Sequence, residues 1–152
     1  MVGNRILNVL MIEDDEVDVM NVQRLFQRAN LTNPLLIANN GRAAMSLIES
    51  EVIPLLGQQS SQQINQNCWM ILLDINLPQM NGIELLQQLS QNPAFASIPV
   101  ILLISLPEDQ ERLHNILKSN GIEVFGYMMK PIKADRLIET LAIVEQYWET
   151  QI

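Results

Sequence analysis

Short apolar runs alternate with amphipathic stretches along most of this chain. Residues 5–12, 34–38, 69–73, 99–104 and 123–129 are compact and mostly apolar, bounded by polar or turn residues. Their length and near-continuous apolar character predict buried strands. Between them the spacing changes to that of helices. Residues 16–30 place Val19, Val22, Leu25 and Phe26 on one face, with acidic residues in the first turn to suit the helix dipole. Residues 42–50 turn Ala43, Ala44, Leu47 and Ile48 inward. Residues 83–90 form a short helix that Asn92-Pro93 ends, and residues 107–120 form one opened by Pro107 and closed near Gly121. Residues 134–148 carry Leu137, Ile138, Leu141, Val144, Tyr147 and Trp148 on one broad face. Asn39-Asn40-Gly41 is turn chemistry, and Pro78 and Gly82 shape a loop over residues 75–82.

Five strand–helix alternations predict one α/β domain spanning residues 1–152: a doubly wound, five-stranded parallel sheet with helices on both faces. Residues 58–67 break the rhythm. They are polar, uncharged and rich in glutamine and asparagine, and read as a loop insertion ahead of the third strand. No repeat and no second domain is expected.

Composition narrows the classes. The chain has 152 residues, 48% of them hydrophobic and 17% charged, enough to bury a core. The net charge of −8, with nine scattered cationic residues, argues against a nucleic-acid surface, which needs clustered Lys and Arg. The single cysteine, Cys68, excludes an internal disulfide and a cysteine-pair zinc motif, and a buried place is expected for it. No apolar stretch approaches the ~18 residues of a membrane span, so a cytoplasmic protein is expected.

The strand ends carry the chemistry. The first apolar run leads into Glu13, Asp14 and Asp15; the third ends at Asp74; the fourth at Ser105; the fifth at Lys130-Pro131. In a parallel sheet these carboxyl ends meet at one edge, where ligands of such folds bind. Crowded carboxylates raise one another's pKa unless a cation intervenes, and Mg2+ suits such a site. Asp74 is a competent nucleophile toward a phosphoryl group once a metal and an ammonium neutralise its oxygens. Lys130 supplies a compact positive charge, which a cis Pro131 would direct, and Ser105 a hydroxyl donor.

On the motifs Ile12-Glu13-Asp14-Asp15, Leu73-Asp74-Ile75-Asn76-Leu77-Pro78 with Gly82, Ser105, and Tyr127-Met128-Met129-Lys130-Pro131, the chain resembles the receiver domain of two-component response regulators. The resemblance covers nearly the whole length. It implies a flavodoxin-like strand order 2-1-3-4-5, with Asp74 as phosphoacceptor and Asp14 as direct Mg2+ ligand. It implies further that Glu13 acts on the metal mainly through water, that the backbone carbonyl of Asn76 ligates it, and that Mn2+ or Ca2+ can substitute. Lys130 and Ser105 would contact the phosphoryl group, and Tyr127 would turn inward when Ser105 moves. A register using Asp15 in place of Glu13 competes; the family pattern places the acid pair directly after the strand, favouring Glu13 and Asp14. The resemblance also implies a sensor histidine kinase as phosphodonor, a downstream protein target, no nucleic-acid or membrane partner, and no enzymatic activity beyond the protein's own phosphoryl transfer and autodephosphorylation.

Within that family, the loop before the third strand, residues 92–99 and Tyr147-Trp148 are similar to stand-alone regulators that partner phytochrome kinases. Some of those dimerise through the fourth helix, fifth strand and fifth helix, a face that would here include Tyr127, Met128 and the apolar side of the last helix. Leu106 departs from the small residue common after the hydroxyl position. Its expected effect is restricted access for phosphodonor or phosphatase, or an altered tyrosine switch.

Other readings are weighed against this one. A haloacid-dehalogenase-type phosphatase needs a second Asp where Asn76 stands. A flavodoxin-like redox protein needs a Ser-, Thr- and Gly-rich phosphate loop where this chain is acidic. A phosphorylation-independent scaffold with a vestigial acidic pocket is the remaining alternative. His114 reads as a solvated helix residue, and the eight methionines mostly as core filler.

Overall fold

The computed structural model describes residues 6–52, 67–76, 82–93 and 97–150. Five strands, β1 (Ile6–Ile12), β2 (Leu35–Ala38), β3 (Asn67–Asp74), β4 (Val100–Ile104) and β5 (Gly126–Met129), form one parallel sheet in the order β2-β1-β3-β4-β5. Five α-helices accompany them: α1 (Glu16–Arg28), α2 (Gly41–Leu47), α3 (Gly82–Ser90), α4 (Pro107–Ser119) and α5 (Ala134–Glu149). The anticipated fold class and strand order are both present.

Strand pleating divides the core. Leu10, Ile12, Ile71, Leu73, Leu102 and Ile104 point to the face covered by α2, α3 and α4. Val9, Met11, Met70, Leu72, Leu103 and Met128 point to the face covered by α1 and α5. Alternate residues therefore serve opposite layers, which is why these strands are apolar without interruption. Val22 and Phe26 seat α1; Leu137, Leu141, Val144 and Trp148 seat α5. The Trp148 indole N–H donates to the Trp69 carbonyl at 3.0 Å, and the Tyr147 hydroxyl to the Ser97 carbonyl at 2.8 Å, locking α5 in place.

Several boundaries differ from the sequence-based expectation, each for a local reason. Pro34 and Pro99 precede β2 and β4 instead of opening them. Lacking an N–H, each offers only its carbonyl, to Val9 at 2.8 Å and Ile71 at 2.9 Å. β5 begins at Gly126 rather than 123. The Ile122 N–H is still closing α4 on the Leu117 carbonyl at 2.9 Å, after Gly121 at φ +68°, so pairing with β4 starts only at Ile101–Gly126. α2 ends at Leu47 and runs into a wider π-helical turn, Ile48–Val52. β3 extends to Asn67 and Asp74, so Asn67 belongs to the sheet and not to the polar insertion. The rest of that insertion, 58–66, lies outside the described residues.

Two predicted placements fail on helix and strand faces. Ile138 is 45% exposed, because the buried stripe of α5 follows Leu137, Leu141, Val144 and Trp148 and leaves Ile138 at its margin. Met128 is buried under α5, since it shares its side of the pleat with Leu103. Neither Met128 nor the apolar side of α5 is available for a dimer face. The exposed large apolar residues on β5, the residue before it and α5 are Phe125, Met129, Ile138 and Ile143. Cys68 is buried, as anticipated.

Candidate functional site

The sheet register brings the strand ends level. Ile12 pairs with Leu73, so Glu13 and Asp74 leave adjacent strands side by side. The backbone extends this order one step: the Glu13 N–H donates to the Ala38 carbonyl at 2.9 Å, and the Lys130 N–H to the Ile104 carbonyl at 2.8 Å. The Asp74 carboxylate accepts from the Asn76 N–H at 3.1 Å, which orients it as the chain leaves β3. The loop after β3 closes on itself where the Gly82 N–H donates to the Ile75 carbonyl at 2.8 Å. A Cβ on Gly82 would stand 2.8 Å from the Ile75 Cα, so only glycine permits that approach.

Lys130 is the hub. Its ammonium lies 3.1 Å from Glu13 Oε1, 3.2 Å from Asp74 Oδ2 and 3.0 Å from Asp18 Oδ2. Three N–H donors meet three carboxylates, all the hydrogen bonds a lysine can donate. Glu13 is wholly buried and Asp74 is 4% exposed, so this network sits beneath the surface. Asp14 is exposed at its mouth, and carboxylate oxygens of Glu13, Asp14 and Asp74 lie within 4.8 Å of one another.

The charge balance is uneven. Burial, followed by the hydrogen bond and charge of Asp74, pushes the Glu13 carboxyl from 4.5 up to about 8 despite the opposing effect of Lys130. Burial draws the Lys130 ammonium down, but the hydrogen bond to Asp18 and the charges of Asp74 and Glu13 outweigh it and hold the group above its usual range. One lysine does not neutralise this pocket. An all-oxygen donor set with surplus negative charge fits a hard divalent cation.

Asp15 stands apart from that cluster. It is the N-cap of α1, its Oδ1 accepting from the Val17 N–H at 2.8 Å and the Asp18 N–H at 3.3 Å. Capping occupies the side chain that the competing register would have used. Asn76 is exposed beside Asp74. Ser105 is exposed in the turn between β4 and α4, followed by Leu106, the N-cap of α4, at 52% exposure. Tyr127 points to the opposite side of β5 from Met128, toward α4. Its hydroxyl is buried with no hydrogen-bond partner among the described residues, and burial pushes its pKa up. Its ring borders a cavity of about 750 Å³ lined by Leu86, Leu89, Val100, His114 and Leu117 among others. His114 is exposed on α4 at the edge of that cavity. The Lys130–Pro131 peptide is cis.

Sequence reasoning missed Asp18. It was read only as part of an acidic first turn. An acidic residue in a first turn suits the helix dipole whatever else it touches, and nothing in its spacing points to Lys130 so far along the chain.

No helix among the described residues is long and apolar enough to cross a membrane. Response regulator Rcp1 of Synechocystis sp. is 27% identical over 140 residues, covering 92% of this chain and 87% of Rcp1. Its Mn(2+)-bound crystal form superposes with a TM-score of 0.60, covering 96% of both chains at 26% identity. A two-component response regulator from Legionella pneumophila gives a TM-score of 0.68 at 27% identity, covering 92% of this chain and 98% of that one. The bacteriophytochrome response regulator RtBRR gives 0.68 at 27% identity, covering 91% and 78%. The response regulator receiver domain family matches residues 9–142, and the chain belongs to it: a receiver domain of two-component signalling, the class that receives phosphate from histidine kinases.

Proposed function

We propose that the chain is a cytoplasmic response regulator that takes a phosphoryl group from a histidine kinase onto Asp74. One observation carries the reading: a nearly buried Asp74 lies 3.2 Å from the Lys130 ammonium and within a 4.8 Å cluster with Glu13 and Asp14.

In the proposed transfer, an Asp74 carboxylate oxygen attacks the phosphorus of a phosphohistidine. The new O–P bond forms as the P–N bond breaks, and the departing imidazole takes a proton from solvent. Lys130 and the Ser105 hydroxyl face the charge that builds on the phosphoryl oxygens, so the protein contributes positioning and electrostatics. Glu13, Asp14, Asp74 and the Asn76 carbonyl would hold Mg2+, with Mn2+ or Ca2+ as substitutes; the Mn(2+)-bound form of Rcp1 supports a divalent ion. When bound, that ion supplies the remaining positive charge for the phosphoryl oxygens. Hydrolysis then returns Asp74 to its carboxylate as water takes the phosphoryl group.

The phosphorylated state would be read by Ser105 and Tyr127. The Tyr127 hydroxyl is buried with no partner among the described residues, so a movement that brings it to a partner or to water gains a hydrogen bond and breaks none. Output through protein contacts fits a net charge of −8, which disfavours nucleic acid. A phytochrome as the kinase is proposed from the names of Rcp1 and RtBRR. A homodimer on the α4–β5–α5 face would rest on Phe125, Met129 and Ile138.

The test is incubation with Mg2+ and acetyl phosphate. A phosphorylated mass is expected for the unaltered chain and none for Asp74→Asn. Absence of uptake in the unaltered chain would favour a phosphorylation-independent scaffold instead.

A further inference from the structure

We infer that Asp18 is a positioning residue for Lys130 during phosphoryl transfer to Asp74, an inference resting on the proposed function above. The shortest of the three ion pairs made by Lys130 is the one to Asp18, at 3.0 Å. The side chain of Asp18 is 25% exposed, against 0% for Glu13 and 6% for Asp74, so it approaches the ammonium from the open side of the pocket.

The partners of Lys130 differ in what the reaction asks of them. Glu13 and Asp74 belong to the cluster that would turn toward a cation, and Asp74 also carries the phosphoryl group. Asp18 has neither duty. It is the carboxylate that stays with Lys130 when the other two reorient. A lysine has a long stem, and ordering it costs up to about 2 kcal/mol of rotamer freedom. An anchor that persists through the reaction removes most of that cost before the phosphoryl group arrives.

The anchor is itself fixed. Asp18 lies in the first turn of α1, where its backbone N–H bonds the Asp15 cap, and Val22 and Phe26 of the same helix are buried in the core. A carboxylate there also suits the positive end of the helix dipole. α1 thus holds the lysine through Asp18.

The experiment is a double-mutant cycle on Asp18 and Lys130, read as the rate of phosphorylation by acetyl phosphate with Mg2+. Asp18→Asn is expected to slow the reaction about fivefold, the effect of an ion pair at the upper end of the measured range. Asp18→Glu should restore part of the rate. In a Lys130→Ala background, Asp18→Asn should cause no further loss. Beryllofluoride affinity, measured by titration calorimetry on the same four proteins, gives the cycle a second reading if Lys130→Ala is too slow to follow. A merely structural salt bridge would lower the unfolding midpoint and leave rate and affinity alone. An unchanged rate in Asp18→Asn, or an equal loss with and without Lys130, overturns the inference while the proposed function stands. No uptake by the unaltered chain overturns both.

Discussion

The two halves of the sheet edge are built on different physics. In one, at the ends of β1, β3 and β5, Glu13, Asp74 and Lys130 are joined by contacts of 3.1 and 3.2 Å in a buried pocket. In the other, at the end of β4 and on the α4-facing side of β5, Ser105 and Leu106 stand exposed, and the Tyr127 hydroxyl is buried without a partner among the described residues. The first half is held by charge and is sensitive to protons and cations. The second packs around a cavity, and its one buried hydroxyl, that of Tyr127, bonds nothing among the described residues. A switch needs both: a fixed place for the chemistry and a neighbour with little to lose by moving.

The contrast is broken most severely by removing the lysine. Lys130→Ala leaves three carboxylates facing one another, and is expected to lower stability by about 3 kcal/mol in the absence of divalent ions. Mg2+ should recover most of this, since the emptied pocket is more negative. Chemical denaturation with and without Mg2+ checks it; a loss below about 1 kcal/mol would show that the network is not the anchor described.

A pH series probes the same half more gently. Folded Glu13 holds its proton up to about 8, whereas the unfolded side chain releases it near 4.5. Between those values the folded chain binds more protons than the unfolded one, so stability falls as pH rises. The contribution is fully present below 4.5 and gone above about 8, a change on the order of 5 kcal/mol. Lys130 adds no slope in this window: its raised value leaves it protonated in both states, and its contribution is lost only well above 10.5. Saturating Mg2+ should flatten the curve. Thermal unfolding across that range, with EDTA or Mg2+, measures both.

The packed half predicts the smallest effect. Tyr127→Phe removes a buried hydroxyl that bonds nothing among the described residues, so resting stability should change by less than about 1 kcal/mol, in either direction. The phosphorylation rate should hold, while any phosphorylation-dependent change in dimerisation or partner binding is reduced. A stability loss above about 2 kcal/mol would reveal a strong bond to that hydroxyl and erase the difference between the two halves.

Much of the fold was legible because parallel strands buried on both faces must be apolar throughout, and helices must repeat at 3.6 residues. The boundaries were less so. β5 starts three residues late because Ile122 is still occupied by the end of α4; Gly121 marks where that helix closes, but not how far along the chain pairing with β4 then resumes. Ile138 and Met128 went to unexpected surroundings because a broad apolar face has an edge, and only contact with the sheet says where it falls.

By itself the sequence determined the alternation of elements, the acidic strand end at Glu13 and Asp14, and the arrival of Asp74 and Lys130 at the same sheet edge. Apolar periodicity and topology suffice for that, since strand direction fixes which residues leave the core together. The tertiary structure alone decided how the charges are shared. Asp18 reaches the lysine and burial pushes Glu13 toward its protonated form, because hydrogen bonding and burial depend on distances of a few ångströms between residues far apart in the chain.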